Sequence, residues 1–151
     1  MVLAQISLNF EKICFVAMNE DIRWKQRFSN YKKALVQLND FCAQPSLNER
    51  EEQGMIKAFE YCYELGWNVL KDYLEAQGYT EIRGAVDAIR QAFKVDIVSD
   101  GEGWMDMYRD RNKTAHTYNI ATADEVAKAI KGPHLRNFVA LETFMDNILH
   151  R

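Results

Sequence analysis

Apolar side chains recur at steps of three and four residues along most of this chain, the spacing that predicts amphipathic α-helices. Asp21 can cap the first of these helices, and residues 44–46, which include a proline, end it. The apolar stripe of this predicted helix consists of Trp24, Phe28, Tyr31, Leu35, Leu38 and Phe41. Such a stripe is typical of a helix that packs one face against a core.

A capping box predicts the start of a second, longer helix, because Asn48 lies three residues before Glu51 and each side chain can satisfy a free backbone donor. Gly78 is placed to end this helix in the left-handed conformation. The apolar stripe between them consists of Met55, Phe59, Cys62 or Tyr63, Gly66, Leu70, and Tyr73 or Leu74.

Three further amphipathic segments follow, of which the first is shorter. A third helix is predicted to begin at Thr80. A fourth is predicted at a second capping-box spacing, formed by Ser99 and Glu102, and a fifth at a third one, formed by Thr122 and Glu125. The chain therefore divides into five predicted helices with short connections.

This division favours an all-α fold, an antiparallel four- to five-helix bundle. A glycine-proline pair at residues 132–133 interrupts the last helix, which otherwise continues to Ile148, so a kink or a break is expected there. The chain has no internal repeat, low-complexity tract or Gly/Ser-rich linker. We therefore expect one helical domain at residues 21–151.

Residues 1–20 do not share this organisation. Glu11 lies before the apolar core of the segment and no basic region opens it, which argues against a secretory signal. Alternation from Ile6 to Phe10 would suit a short strand or a docking arm. We favour another interpretation, in which residues 1–20 are an N-terminal extension that is disordered or not native, and Met18 is the natural start.

Composition narrows the classes of function. The net charge is −3, so there is no global basic field for nucleic acid and any RNA contact must come from a local patch. No apolar run is long enough to span a membrane, and a cytoplasmic protein is expected. Cys14, Cys42 and Cys62 are an odd number without CxxC pairs, which predicts buried thiols in a reducing compartment rather than disulfides or a zinc site.

The candidate chemistry lies in the fourth predicted helix, where Arg111 occupies a position of the apolar stripe. A guanidinium at such a position is costly to bury unless it is paired or reaches a wet cleft. An ion-pair staple to Asp106 or Asp110 and a functional site both explain it, and from the residues alone the staple is slightly favoured.

Spacing limits how the neighbouring groups can act together. On an ideal helix Arg111 and His116 diverge by about 140°, whereas Asn112 and His116 lie one turn apart on one face. Arg111 and His116 meet one ligand only if the arginine wraps around, the helix distorts, or two copies of the helix face each other across a dimer cleft.

These side chains suit RNA cleavage. His116 can transfer a proton near neutral pH, Arg111 can stabilise a pentacoordinate phosphate, and Asn112 can orient the imidazole or hold a phosphate oxygen. No metal or cofactor is required if the 2′-hydroxyl of the RNA attacks, and no carboxylate-histidine cluster has clear metal-ligand spacing. His134 and His150 are expected at the surface.

The string Arg-Asn-x-x-x-His-x-Tyr at residues 111–118 resembles the RX4HXY form of the motif of HEPN domains. Three flanking segments, residues 23–28, 60–67 and 100–105, resemble the nucleotidyltransferase substrate-binding protein family. The resemblance extends from about residue 19 to the C-terminus. It implies a helical bundle that forms a homodimer, or a heterotetramer with a minimal nucleotidyltransferase partner.

The resemblance implies one of two functions. In the first, the chain is the toxin of a toxin-antitoxin pair, a metal-independent RNase with Arg111, His116 and Asn112 as catalytic residues. The partner would silence it by AMPylation of Tyr118, the residue that matches the modified tyrosine. In the second, the chain is a non-catalytic substrate-binding subunit of a nucleotidyltransferase complex.

Overall fold

The computed structural model describes residues 2–151, apart from the side chains of Ala17 and Glu20. This part of the chain contains six α-helices and no strand: α1 (Val2–Ala43), α2 (Glu49–Ala76), α3 (Ala85–Lys94), α4 (Gly101–Lys113), α5 (Ile120–Ala129) and α6 (Leu135–Leu149). A 3-10 turn, Thr114–His116, follows α4, and a π turn, Ile130–His134, joins α5 to α6. The prediction of an all-α bundle is confirmed, and the expected break of the last helix lies in the π turn.

The core forms where α1 and α2 pack side by side and α6 lies against them. The predicted stripe of α1 is buried at Trp24, Phe28, Tyr31, Leu35 and Leu38, whereas Phe41 at its end is half-buried and packs against the core. Tyr31 also donates its hydroxyl to the backbone oxygen of Phe138 on α6, at 2.7 Å. This hydrogen bond satisfies the one polar atom of a fully buried ring and ties α6 to α1.

Both predicted ends of α2 are confirmed. Asn48 Oδ1 accepts from the backbone N–H of Glu51 at 2.9 Å, and Glu51 Oε1 accepts from the backbone N–H of Asn48 at 3.1 Å. Gly78 has φ +97°, and the backbone N–H of Tyr79 donates to the oxygen of Leu74 at 3.1 Å. These contacts form a capping box and a Schellman motif.

The predicted starts of the three later helices are wrong. Helix α3 begins at Ala85 rather than at Thr80, because Glu81 has a positive φ of 63°, which a helix cannot contain. Helix α4 is capped by Asp100, which accepts from the backbone N–H of Gly103 at 2.9 Å, and not by Ser99.

Helix α5 likewise begins before the predicted Thr122. Its cap is Asn119, whose side chain accepts from the backbone N–H of Thr122 at 3.3 Å. For α4 the observed cap, Asp100, directly follows the predicted Ser99. For α5 the observed cap, Asn119, lies three residues before the predicted Thr122. The capping-box spacing alone did not show which of these neighbouring residues caps the helix.

Helix α1 begins earlier than predicted. It starts at Val2, so the start predicted at Asp21 is wrong, and residues 6–10 are helical rather than a short strand. Met1 lies outside the described residues, and the interpretation of residues 1–20 as an N-terminal extension that is disordered or not native stays a prediction. The apolar side chains of this part of α1 are exposed: Val2, Leu3, Ile6, Leu8, Phe10, Ile13, Phe15, Val16 and Met18.

The surface position predicted for His134 is also wrong. Its side chain is 1% exposed, and its ring stacks on Phe59 with 5.3 Å between ring centres. The backbone of Gly132, with φ −107° and ψ −105°, leaves the helical conformation, and the side chain of His134 that follows lies in the core. His150, in contrast, is exposed as predicted.

The cysteines are not uniformly buried as predicted. Cys62 is buried, and burial raises the pKa of its thiol to about 12. Cys42 is half-buried, whereas Cys14 is exposed because it lies on the exposed part of α1. No helix within residues 2–151 is both long enough and apolar enough to cross a membrane.

Candidate functional site

Helix α4 runs from the core to the surface. Gly103, Trp104 and Met107 near its start are buried, while its last residues are partly exposed. The α-helix ends at Lys113, and a 3-10 turn continues the chain to His116. The divergence of about 140° for an ideal helix therefore does not apply to the motif, because the helix changes its pitch within it.

The guanidinium of Arg111 is held by polar partners on two sides. Its Nε donates to Glu64 Oε1 at 3.2 Å, and its Nη1 donates to Thr114 Oγ1 at 3.0 Å. Its Nη2 lies 3.9 Å from Glu60 Oε2. The side chain remains 32% exposed, so it is paired and still open to a ligand.

The staple considered from the sequence is not formed. Asp106 pairs with Arg109, and Asp110 pairs with His134 and Lys113. Arg111 instead reaches across to α2. Its partners, Glu60 and Glu64, are far from the motif in sequence. They lie one helical turn apart in the segment 60–67 that resembles the family, but neither signal predicts their contact with Arg111.

A second polar network lies behind the motif. His134 Nε2 is 2.6 Å from Asp110 Oδ2, and Lys113 Nζ lies 3.5 Å from Asp110 Oδ1 and 3.1 Å from Glu125 Oε1. Burial alone would raise the pKa of Asp110, but the hydrogen bond and charge of His134, together with Lys113, lower it below its ordinary value. This network ties α4 to the π turn and to α5.

His116 and Tyr118 lie together at the surface. Nδ1 of His116 is 3.3 Å from the hydroxyl oxygen of Tyr118, and the two rings meet edge to face with 5.9 Å between their centres. Tyr118 is 83% exposed and His116 is also exposed. The proton-transfer candidate and the modification candidate are therefore neighbours in one accessible turn.

Thr117, the residue between His116 and Tyr118, is hydrogen-bonded to Gln53 of α2. Gln53 Nε2 donates to the backbone oxygen of Thr117 at 3.1 Å, and the hydroxyl of Thr117 lies within donating distance of Gln53 Oε1, at 3.3 Å, and of the backbone oxygen of Thr114, at 3.2 Å. Sequence reasoning missed Gln53, because its role depends on a contact between helices.

Some predicted contacts are not formed among the described residues. Within residues 2–151, no hydrogen bond joins Arg111 to His116, and the exposed side chain of Asn112 makes none. The same residues contain no group of three His, Cys, Asp or Glu side chains that could hold a metal ion. The catalytic roles of Arg111, Asn112 and His116 stay predictions.

Similarity to known proteins agrees with the motif and the fold. Residues 26–147 match the family described as nucleotidyltransferase substrate binding protein like. A protein of Haemophilus influenzae named probable ribonuclease HepT is 34% identical over 101 residues, which are 61% of this chain and 68% of the relative.

A solved crystal structure from Thermus thermophilus has a similar fold. It superposes with a TM-score of 0.65 at 28% sequence identity, and the match covers 80% of this chain and 99% of that one. The family match spans most of the chain and contains the whole motif at residues 111–118. The chain therefore belongs to the nucleotidyltransferase substrate-binding protein family of the HEPN superfamily, as its motif and flanking segments predict.

Proposed function

We propose that this protein is a metal-independent RNase that works as the toxin of a toxin-antitoxin pair with a minimal nucleotidyltransferase. The observation that carries the proposal is the exposed imidazole of His116. It lies in the turn that follows Arg111, two residues from the exposed phenol of Tyr118. The name of the Haemophilus influenzae relative, a probable ribonuclease, supports the same reaction class.

The proposed cleavage uses the RNA's own nucleophile. The imidazole of His116 accepts the proton of a 2′-hydroxyl, whose oxygen then attacks the adjacent phosphorus. The bond from phosphorus to the 5′-oxygen breaks, and that oxygen takes up a proton, which leaves a 2′,3′-cyclic phosphate and a 5′-hydroxyl. The guanidinium of Arg111 stabilises the charge that develops on the phosphate oxygens, and Asn112 binds a phosphate oxygen or orients the imidazole.

We propose that the two helices α4 of a homodimer line one cleft, so that each copy contributes its Arg111 and His116. The separation of the two groups within one copy supports a composite site. Among residues 2–151 no hydrogen bond joins Arg111 to His116, so the guanidinium and the imidazole are not paired within one chain.

AMPylation of Tyr118 is the proposed switch. The phenol oxygen attacks the α-phosphorus of ATP, pyrophosphate leaves, and the phenol proton passes to solvent. Since that oxygen lies 3.3 Å from Nδ1 of His116, the added phosphate and nucleoside would cover the imidazole and repel an RNA phosphate. The added group would therefore inhibit cleavage directly.

Cleavage of a labelled oligoribonucleotide in the presence of EDTA tests the proposed reaction. His116→Ala is expected to lower the rate by about 10²- to 10⁴-fold and Arg111→Ala by about 10²- to 10³-fold. The matched controls are His150→Ala and Arg109→Ala, which replace exposed residues of the same types and should cleave like the wild type. The corresponding oligodeoxyribonucleotide should not be cleaved. Wild-type rates in both motif variants would overturn the mechanism.

Mass spectrometry after incubation with the nucleotidyltransferase partner and ATP tests the switch. The mass of AMP should appear on Tyr118 together with loss of cleavage, and Tyr118→Phe should remain unmodified. Tyr61→Phe is the control, because Tyr61 is also exposed but lies on α2. Modification confined to another residue would overturn the proposed switch.

The second candidate function is a non-catalytic substrate-binding subunit. The pairing of Arg111 with two carboxylates and the net charge of −3 favour it, because both weaken attraction for RNA. Under this alternative the pure protein cleaves no RNA, and adding it changes the affinity of the nucleotidyltransferase for nucleotide or acceptor. The EDTA assay with wild-type protein therefore separates the two candidates.

A further inference from the structure

One face of α2 contacts the motif at two separate points. Gln53, Glu60 and Glu64 are spaced by seven and four residues, which places them in a row along one side of the helix. Glu64 and Glu60 reach the guanidinium of Arg111, and Gln53 reaches the turn that contains His116 and Tyr118. A single helix thus holds both chemical groups of the proposed site.

The carboxylate of Glu64 is itself fixed. Oε2 accepts from the indole N–H of Trp67 at 2.9 Å, which leaves Oε1 to accept from Nε of Arg111 at 3.2 Å. The backbone oxygen of Glu64 also accepts from the side chain of Asn68 at 2.7 Å. Because both carboxylate oxygens are engaged, Glu64 can restrict the orientation of the guanidinium and not only neutralise it.

The remaining hydrogens of Arg111 define where a ligand can bind. Nε is used by Glu64, and one Nη1 hydrogen is used by Thr114. The second Nη1 hydrogen and the Nη2 group remain, with only the distant carboxylate of Glu60, at 3.9 Å, beside them. The Nη2 group and one Nη1 hydrogen can therefore still donate to oxygens of a phosphate.

We propose that Glu64 and Gln53 are positioning residues of the site, Glu64 for the guanidinium of Arg111 and Gln53 for the turn that carries His116 and Tyr118. This inference rests on the proposed RNase function and deepens it. The two residues act through the motif and do not touch the RNA. Gln53 does so through its two hydrogen-bonding contacts with Thr117, so that α2 sets the distance between the cation and the imidazole.

Substitutions of Glu64 separate positioning from charge. Glu64→Ala frees the guanidinium and is expected to lower kcat by about 10- to 100-fold. In Glu64→Gln the amide oxygen can still accept from Arg111, while the indole N–H of Trp67, which is only partly buried, turns to water. This variant should recover most of kcat, and it should lower KM because one anion that competes with phosphate has been removed.

The matched control is Glu75→Ala, which removes another α2 carboxylate with ion pairs to Arg23 and Lys71 but lies away from the motif. It should leave kcat and KM unchanged. Equal kinetics for Glu64→Ala and Glu75→Ala would overturn the role of Glu64. A kcat for Glu64→Gln as low as that for Glu64→Ala would also overturn it, since the neutral acceptor would then not position the guanidinium.

Gln53→Ala is expected to lower both RNA cleavage and AMP transfer to Tyr118, because the same turn carries both groups. Gln37→Ala, which replaces an exposed glutamine of α1, is the control. Loss of cleavage with unchanged AMP transfer would overturn the role of Gln53, as would unchanged rates of both.

A spectroscopic measurement keeps this inference separate from the proposed function. The Nε–H of Arg111 should give a protected nitrogen-15 NMR signal that shifts in Glu64→Ala and not in Glu75→Ala, whether or not the protein cleaves RNA. Absence of cleavage by the wild type would reject the proposed function alone. If the Nε–H signal of Arg111 is unchanged in Glu64→Ala, only the positioning contact is rejected.

Discussion

The two ends of α4 differ in almost every physical respect. At its start, Trp104 is 2% exposed and meets the ring of Phe138 edge to face, with 5.8 Å between the ring centres. After its end, Tyr118 is 83% exposed and its hydroxyl lies 3.3 Å from Nδ1 of His116. Within α4 and the turn after it, the buried side chains that stabilise the fold lie at one end, and the accessible polar side chains of the motif lie at the other.

This contrast separates the part of α4 that packs into the core from the turn that exposes side chains of the motif. The buried start fixes the axis of the helix, and the polar partners on α2 then orient the groups at the exposed end. Substitutions at the two ends of α4 should therefore affect different properties. Those at the buried start should change the stability of the protein, and those at the exposed end should change its activity.

Trp104→Ala should have the largest effect on stability. Deleting a fully buried indole leaves a cavity between α2, α4 and α6, so the free energy of unfolding should fall by about 3–5 kcal/mol. Urea denaturation measures it, with Phe93→Ala as the control, because Phe93 is 52% exposed. A loss below about 1 kcal/mol for Trp104→Ala would contradict the assignment of the packing energy to this end.

Gly103→Ala should destabilise the same end by about 1–3 kcal/mol. An added Cβ would collide with Asp100 Oδ2 and lie 2.5 Å from Asn137 Nδ2, so it would break the helix cap and the contact to α6. The same change at Gly84, where a Cβ would meet nothing within 4 Å, is the control in the urea titration. Equal stability of Gly103→Ala and Gly84→Ala would show that the Asp100 cap of α4 adjusts to the added Cβ without loss of stability.

Asp110→Asn probes the last turn of α4, beside Arg111. The pKa of Asp110 is lowered in the folded protein, so its stabilising effect is present above its ordinary value of 3.8 and is lost as the pH falls through the lower folded value. The variant should lose about 1.5–3 kcal/mol at pH 7 and show a shallower decline of stability in acid. Unfolding free energies between pH 2 and pH 7 measure this, with exposed Asp40→Asn as the control. An unchanged acid slope would exclude the proposed coupling.

His116→Ala should have the smallest effect on stability, within about 0.5 kcal/mol of the wild type, because its ring is exposed and its side-chain hydrogen-bonding partner, Tyr118, is exposed as well. The same variant is expected to lose cleavage. A large loss of stability in urea would mean that the exposed end also supports the fold, and the contrast between the two ends would then fail.

Local signals in the sequence were sufficient for much of the fold. The stripe from Trp24 to Leu38 and the ends of α2 at Asn48 and Gly78 depend on residues within a few positions of one another, and all of them are confirmed. The starts of α4 and α5 were missed, because several neighbouring residues can cap a helix and only the folded chain selects one.

The candidate site was only partly accessible to the same reasoning. Arg111, His116 and Tyr118 follow from a local motif, but the partners of Arg111 on α2 are set by how two helices cross, which no local pattern encodes. His134 was misplaced for a similar reason, since its burial follows from the non-helical backbone of Gly132 and its contact with Asp110.

The bond between Asp110 and His134 restricts how the motif can move. Asp110 directly precedes Arg111 and is bound to a histidine enclosed by the core, so α4 cannot swivel about its long axis without breaking that bond. Together with the bond of Gln53 to Thr117, this contact fixes both ends of the segment that connects the guanidinium to the imidazole, so a bound ligand has to meet the two groups at the spacing that the fold sets.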